Sequence, residues 1–141
     1  DGLLLFGRSD ATLNARGVRI GTAEIYRQLE PIDAILDSVA VTQEWDGDTR
    51  IILFVQLQDG QAGIDKVADE IRRRLRENAS PRHVPEKIIP VAEIPRTLTG
   101  KVSEMAVREA IHGRPVRNLD ALLNPRSLDS FAPAVLPELN S

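Results

Sequence analysis

Apolar and polar positions along this chain follow two periods, and the changes between them mark the elements. "GLLLFGRSD" (2–10) reads as a short strand broken at Gly7, and "ATLNARGVRI" (11–20) as a second extended stretch with a sharp turn at Gly17. Ile25, Leu29 and Ile32 then fall at i, i+4 and i+7, which predicts an amphipathic helix capped by Thr22 and closed by Pro31. "SVAVTQEW" and "TRIILFVQLQ" flank Asp46-Gly47, a strong two-residue hairpin signal, and Ile51 to Val55 is apolar throughout, as a strand covered on both faces requires. Residues 64–77 carry a second helical stripe of Ile64, Val67, Ala68, Ile71 and Leu75, with Asp65 able to cap it and Arg72, Arg73, Arg74 and Arg76 on the other side. A short strand within "KIIPVAEI" and a helix over about 103–112 follow, the latter turning Met105, Ala106, Ala110 and Ile111 inward.

Pro115, Pro125, Pro133 and Pro137 punctuate the remainder, which is expected to form short helical turns lying on the domain. Strands and helices mix without regular alternation. The predicted fold is α+β, a small mixed or antiparallel sheet with an N-terminal β-hairpin and about three packed helices. The expected division is a domain over residues 1–112 and a C-terminal extension over 113–141.

Composition narrows the function classes. A chain of 141 residues accommodates one domain, and its start at Asp1 leads us to expect a piece of something longer. The balance of 18 basic and 21 acidic residues gives a net charge of −3, and only five residues are Phe, Trp or Tyr, which argues against nucleic acid as a partner. Cysteine is absent, so thiol catalysis, disulfides and cysteine-ligated metals are excluded. No apolar run approaches the roughly 20 residues that span a bilayer. A cytoplasmic domain without membrane contact is expected.

The chemistry-bearing candidates lie on two glycine-centred basic loops. The loop "PRTLTGK" is no phosphate-binding P-loop, because that pattern needs glycine at 95 and Ser or Thr at 102, where Pro95 and Val102 stand. His83 and His112 are far apart in sequence and lack a neighbouring carboxylate cluster, which predicts surface histidines and no metal site. The arginine run at 72–74 reads either as a solvated helix face or as a mount for a phosphate-bearing ligand. Taken alone, the residues also fit a free-standing interaction domain whose basic helix binds an acidic partner.

"GRSDATLNARGVRIGTAEIY" (7–26) and "PRTLTGKVSE" (95–104) resemble the two signature motifs in the C-terminal domain of the adenylate-forming acyl-CoA synthetases, in the same order and at a suitable separation. "IHGRPVRNLDALLNPRSLDSF" (111–131) is similar to the extension typical of the acetoacetyl-CoA synthetases of that family. The resemblance implies a ligase that uses ATP and CoA as substrates, with Mg2+ accompanying ATP, and a small domain that rotates on a larger N-terminal one between two half-reactions. It implies Lys101 as the adenylation lysine, Asp10 as the hinge, Arg8 and Arg19 as nucleotide-binding, Gly17 as the loop glycine beside pantetheine, and Glu24 as a residue ordering the strand and helix around it. Arg76 is the candidate for the CoA 3′-phosphate. Ala11 and Val18 depart from acetyl-type relatives, which often carry an acidic residue and a histidine there. Since the acid pocket and ATP phosphate loop belong to the N-terminal domain of such enzymes, this chain alone is expected to be inactive. Lys101 is also expected to be reversibly acetylated, with a protein acetyltransferase and a deacetylase as partners.

Overall fold

The computed structural model describes residues 12–15, 17–45, 47–58, 63–91, 93–96, 98, 104–114, 122, 126, 128 and 131. Among them run β1 (Thr12–Ala15), β2 (Val18–Gly21), α1 (Thr22–Leu29), β3 (Ile35–Trp45), β4 (Asp48–Leu57), α2 (Ile64–Asn78), β5 (Lys87–Pro90) and α3 (Glu104–Ile111). A single 3-10 turn, Pro81–His83, separates α2 from β5. β1 and β2 form an antiparallel hairpin, while β3-β4-β5 form a sheet whose first pair is antiparallel and second parallel. A parallel pair cannot be joined by a tight turn, and α2 makes the crossover. This is the α+β arrangement, with a mixed sheet, an N-terminal hairpin and three helices, that the sequence pattern predicts.

The period of two along β4 divides the core into two sides. Ile51, Leu53, Val55 and Leu57 join Ile25, Tyr26 and Leu29 of α1 and Val67, Ile71 and Leu75 of α2. Ile52 and Phe54 face the opposite way, onto Val39 and Val41 of β3, Val107 and Ile111 of α3, and Phe131. Phe54 and Phe131 meet edge to face, with ring centroids 4.7 Å apart at 77°. From the C-terminal stretch, Leu122, Leu128 and Phe131 are all buried. The Asp46-Gly47 hairpin forms as its sequence predicts, with Trp45 opposite Asp48 and Gly47 at φ 78°.

Three local expectations change. Thr22 lies inside α1, buried, and Gly21 takes the cap position; Gly63, at φ 78°, precedes α2 in place of a capping Asp65. In α3, Val107 is fully buried and Ala110 only half-buried. With residue 107 the described inward face is 106, 107, 110 and 111, positions on one helical stripe, while the expectation for the Met105 side chain lies outside the described residues. Among the described residues no helix is long and apolar enough to cross a membrane.

Candidate functional site

Of the residues singled out by sequence, Arg8, Asp10 and Lys101 lie outside the described residues. Gly17, Arg19 and Arg76 lie within them. Gly17 is the exposed tip of the β1-β2 hairpin at φ 80°, a left-handed conformation that side chains other than glycine adopt at a cost. A Cβ placed there would meet nothing within 4 Å, so the requirement for glycine comes from the backbone and the space beside it is open. Arg19 follows on β2, exposed, opposite Asn14 in the hairpin register.

The basic side of α2 is largely neutralised by its own carboxylates. Arg72 pairs with Asp69 at 3.6 Å, Arg73 with Glu77 at 3.7 Å and Arg74 with Glu70 at 3.3 Å. Such i,i+3 and i,i+4 pairs are what a solvated helix face makes. Arg76 is exposed and has no hydrogen bond or ion pair among the described residues, which leaves its guanidinium open to an external anion. β2 and the end of α2 both pack on the Pro81–His83 turn, so the strand of Arg19 and the helix of Arg76 converge there. Glu24 accepts hydrogen bonds from Arg27 at 3.1 Å and Gln28 at 3.0 Å, and thus orders α1 itself.

The segment that carries Lys101 is bordered by two well-connected residues that periodicity does not reveal. On its N-terminal side, Arg96 donates from Nε to Asp37 Oδ2 at 3.0 Å and pairs with the same oxygen through a terminal nitrogen. Asp37 is a buried residue of β3, and its other oxygen accepts the Ser38 N–H at 2.9 Å. On the C-terminal side, Tyr26 donates its hydroxyl hydrogen to Glu104, the first residue of α3, at 2.7 Å, while the same oxygen accepts the Ala40 N–H at 3.0 Å. At the far end of α3, His112 Nε2 accepts the Glu44 N–H at 3.0 Å, which leaves Nδ1 to donate to the Arg108 carbonyl at 2.7 Å. His83 is likewise engaged, 2.7 Å from Ser80 Oγ.

Chemically, the described residues offer exposed cations on a glycine hairpin and a helix end, and no cluster of three or more metal-ligating side chains. Exposed cations of this kind can pair with phosphate groups. The pair Gln43 and Arg50, opposite each other in the β3-β4 register and buried, is linked at 2.9 Å and serves the sheet interior.

No protein-family model matches the chain. The acetoacetyl-coenzyme A synthetase of Rhizobium meliloti (strain 1021) is 54% identical over 131 residues, which cover 93% of this chain and 20% of that protein. The acetoacetyl-CoA synthetase of Caenorhabditis elegans is 44% identical over 132 residues, covering 92% and 19%. Among solved structures, the acetoacetyl-CoA synthetase from Streptomyces lividans superposes with a TM-score of 0.77 at 38% identity, covering 92% of this chain and 20% of that one. The chain therefore spans about one fifth of the length of the relatives it matches. By sequence and by fold, the chain belongs to the adenylate-forming acyl-CoA synthetases, as the counterpart of a C-terminal part of acetoacetyl-CoA synthetases.

Proposed function

We propose that the chain is the mobile C-terminal domain of an acetoacetyl-CoA synthetase and acts with a larger N-terminal domain of the same protein. The observation that carries this reading is the 54% identity to the Rhizobium meliloti enzyme across 93% of the chain. In the first half-reaction an acetoacetate carboxylate oxygen attacks the α-phosphorus of ATP, and the bond to the pyrophosphate oxygen breaks. In the second, the sulfur of CoA, its proton lost, attacks the acyl carbon and AMP leaves with the electron pair. Mg2+ would arrive with ATP as part of the substrate.

Lys101 serves the first step. Its ammonium pairs with both the attacking carboxylate and the α-phosphate, holding them in line and offsetting charge in the transition state. At about 4 Å and an effective dielectric of about 20, that attraction is on the order of 4 kcal/mol, roughly a thousandfold in rate when confined to the transition state. Arg8 contacts the nucleotide in that orientation, Asp10 is the hinge, and Arg19 meets the phosphate after rotation. Gly17 then borders the pantetheine path, a role supported by the open space at the hairpin tip. Arg76 takes the CoA 3′-phosphate, supported by its lack of a described partner.

A lysine that visits the active site in only one half-cycle is exposed in the other, so Lys101 is also a site of reversible acetylation. The modification removes its charge and stops adenylation. Incubation with acetyl-CoA and a protein acetyltransferase, followed by mass spectrometry, tests this, because Lys66, Lys87 and Lys101 are the chain's only lysines. Modification spread evenly over all three contradicts it. The substrate assignment is tested by supplying the full-length protein with a panel of short acids, ATP and CoA. Acetoacetate is expected to be thioesterified with the highest kcat/KM, and preference for another acid places the domain in a different short-chain acyl-CoA synthetase.

A further inference from the structure

β3 is an outer strand of the three-stranded sheet, paired with β4 on one side only among the described residues. Alternate residues of such a strand turn their N–H groups away from the ladder. Here the N–H of Ser38 reaches Asp37 Oδ1 at 2.9 Å, that of Ala40 the Tyr26 hydroxyl at 3.0 Å, and that of Glu44 His112 Nε2 at 3.0 Å, all on one parity with Thr42 between the last two. A row of outward N–H groups on an 11-residue strand is a template for pairing with another chain. We propose that the outer edge of β3 is a pairing surface for a second copy of this chain, kept closed by Tyr26 and His112, which pin α3 along it. The proposal does not depend on the reaction given above.

The pins fit the length of the helix they hold. α3 packs on β3 and has eight residues, a rise of about 12 Å, while Ala40 to Glu44 spans about 13 Å of strand. Tyr26 donates to Glu104, the first residue of α3, at 2.7 Å, and His112 directly follows Ile111, the last. One end of the helix is thus held at residue 40 and the other at residue 44. Each pin has its polarity set from behind. The Tyr26 hydroxyl directs its single hydrogen to the Glu104 carboxylate and turns a lone pair to Ala40; His112 Nδ1 donates to the Arg108 carbonyl at 2.7 Å, so Nε2 carries no hydrogen and accepts from Glu44. The two side chains supply the acceptors that a neighbouring strand would otherwise bring.

Packing alone does not close this edge. On the inner side Val107 and Ile111 join Val39 and Val41 in the core, but toward solvent Thr42, Glu44, Arg108 and His112 help to line a cleft of about 280 Å³. Arg114 stands 3.9 Å from Glu44, an exposed pair of a kind that contributes little. The spacing of the pins selects the occupant. Two copies of one edge related by a two-fold axis pair antiparallel, and with the axis at Thr42, residue 40 of each copy stands opposite residue 44 of the other. Those are the positions that Tyr26 and His112 occupy. The register irregularity between Ile35 and Asp37 ends the regular edge on one side and Trp45 ends the strand on the other, which leaves Thr42 near the middle. The sequence around it, Val39-Ala40-Val41-Thr42, is rich in β-branched residues and favours pairing once uncovered.

The test compares Tyr26→Phe/His112→Leu with the wild type in the full-length protein, by sedimentation velocity over a wide range of concentration. The double variant is expected to form a species of twice the wild-type mass, in a share that rises with concentration. Adding Thr42→Pro, which removes an outward N–H from the middle of the row, is expected to restore the wild-type mass. A folded double variant that keeps the wild-type mass throughout overturns the proposal. Association that survives Thr42→Pro overturns it too, since the contact then lies elsewhere. Where the double variant does not fold, the single variants carry the test through hydrogen exchange: the Ala40 amide in Tyr26→Phe and the Glu44 amide in His112→Leu are each expected to exchange about tenfold faster than in the wild type, with association above the wild-type level. His112→Gln, whose amide oxygen can accept the same N–H, is expected to stay at the wild-type mass. Unchanged exchange at both amides, or association in His112→Gln equal to that in His112→Leu, removes the pins from the account.

Discussion

Arg76 is distinguished from its neighbours by having no ion pair among the described residues. Arg72, Arg73 and Arg74 are each committed to a carboxylate one turn away on α2, and exposed pairs of that kind contribute little to stability. Arg76 is the arginine of the run with no hydrogen bond or ion pair among the described residues. Arg76→Ala is expected to raise the KM for CoA about tenfold, a typical loss for one charge-assisted contact, and to leave the KM for 3′-dephospho-CoA unchanged. Equal effects on both thiols contradict the assignment. Gly17 calls for a different control. Because its φ of 80° is unfavourable for any side chain, Gly17→Ala is expected to cost about 1 kcal/mol of stability by denaturation, although a Cβ there touches nothing. No measurable cost would mean that the hairpin relaxes to accept it.

Elements were legible where a period was regular. The stripes Ile25–Leu29 and Val67–Ile71–Leu75, the apolar run of β4 and the Asp46-Gly47 turn all read directly, because each depends on local spacing. Helix starts read less well. Thr22 and Asp65 have the chemistry of caps, but Gly21 and Gly63 hold the positions, where backbone conformation decides and no side-chain bond forms. The long-range contacts of Arg96 and Glu104 were invisible for another reason. Asp37 and Arg96 are 59 residues apart and Tyr26 and Glu104 are 78 apart, and no periodicity links such pairs. The glycine loops announced a candidate site through composition, whereas the contacts of Arg96 and Glu104 on either side of residues 97–103 emerge only from the folded sheet.

At the scale of the whole molecule, three described residues of the C-terminal stretch, Leu122, Leu128 and Phe131, are part of the core. Its prolines and irregular spacing disguise this in the sequence, yet Phe131 is fully buried against Phe54 on the side of the sheet that also receives α3. Phe131→Ala is expected to destabilise the protein by about 3–5 kcal/mol in chemical denaturation, as removal of a buried aromatic does. A change below about 1 kcal/mol would show that the stretch contributes no core.

The central claim is that one small domain serves two half-reactions from two different loops. Measuring both half-reactions in Lys101→Ala and Gly17→Leu of the full-length protein tests it most directly. The account predicts opposite defects. Lys101→Ala loses about a thousandfold in ATP–pyrophosphate exchange and still converts supplied acyl-adenylate to thioester, while Gly17→Leu retains exchange and loses thioester formation. The contradicting result is a parallel loss of both steps in either variant.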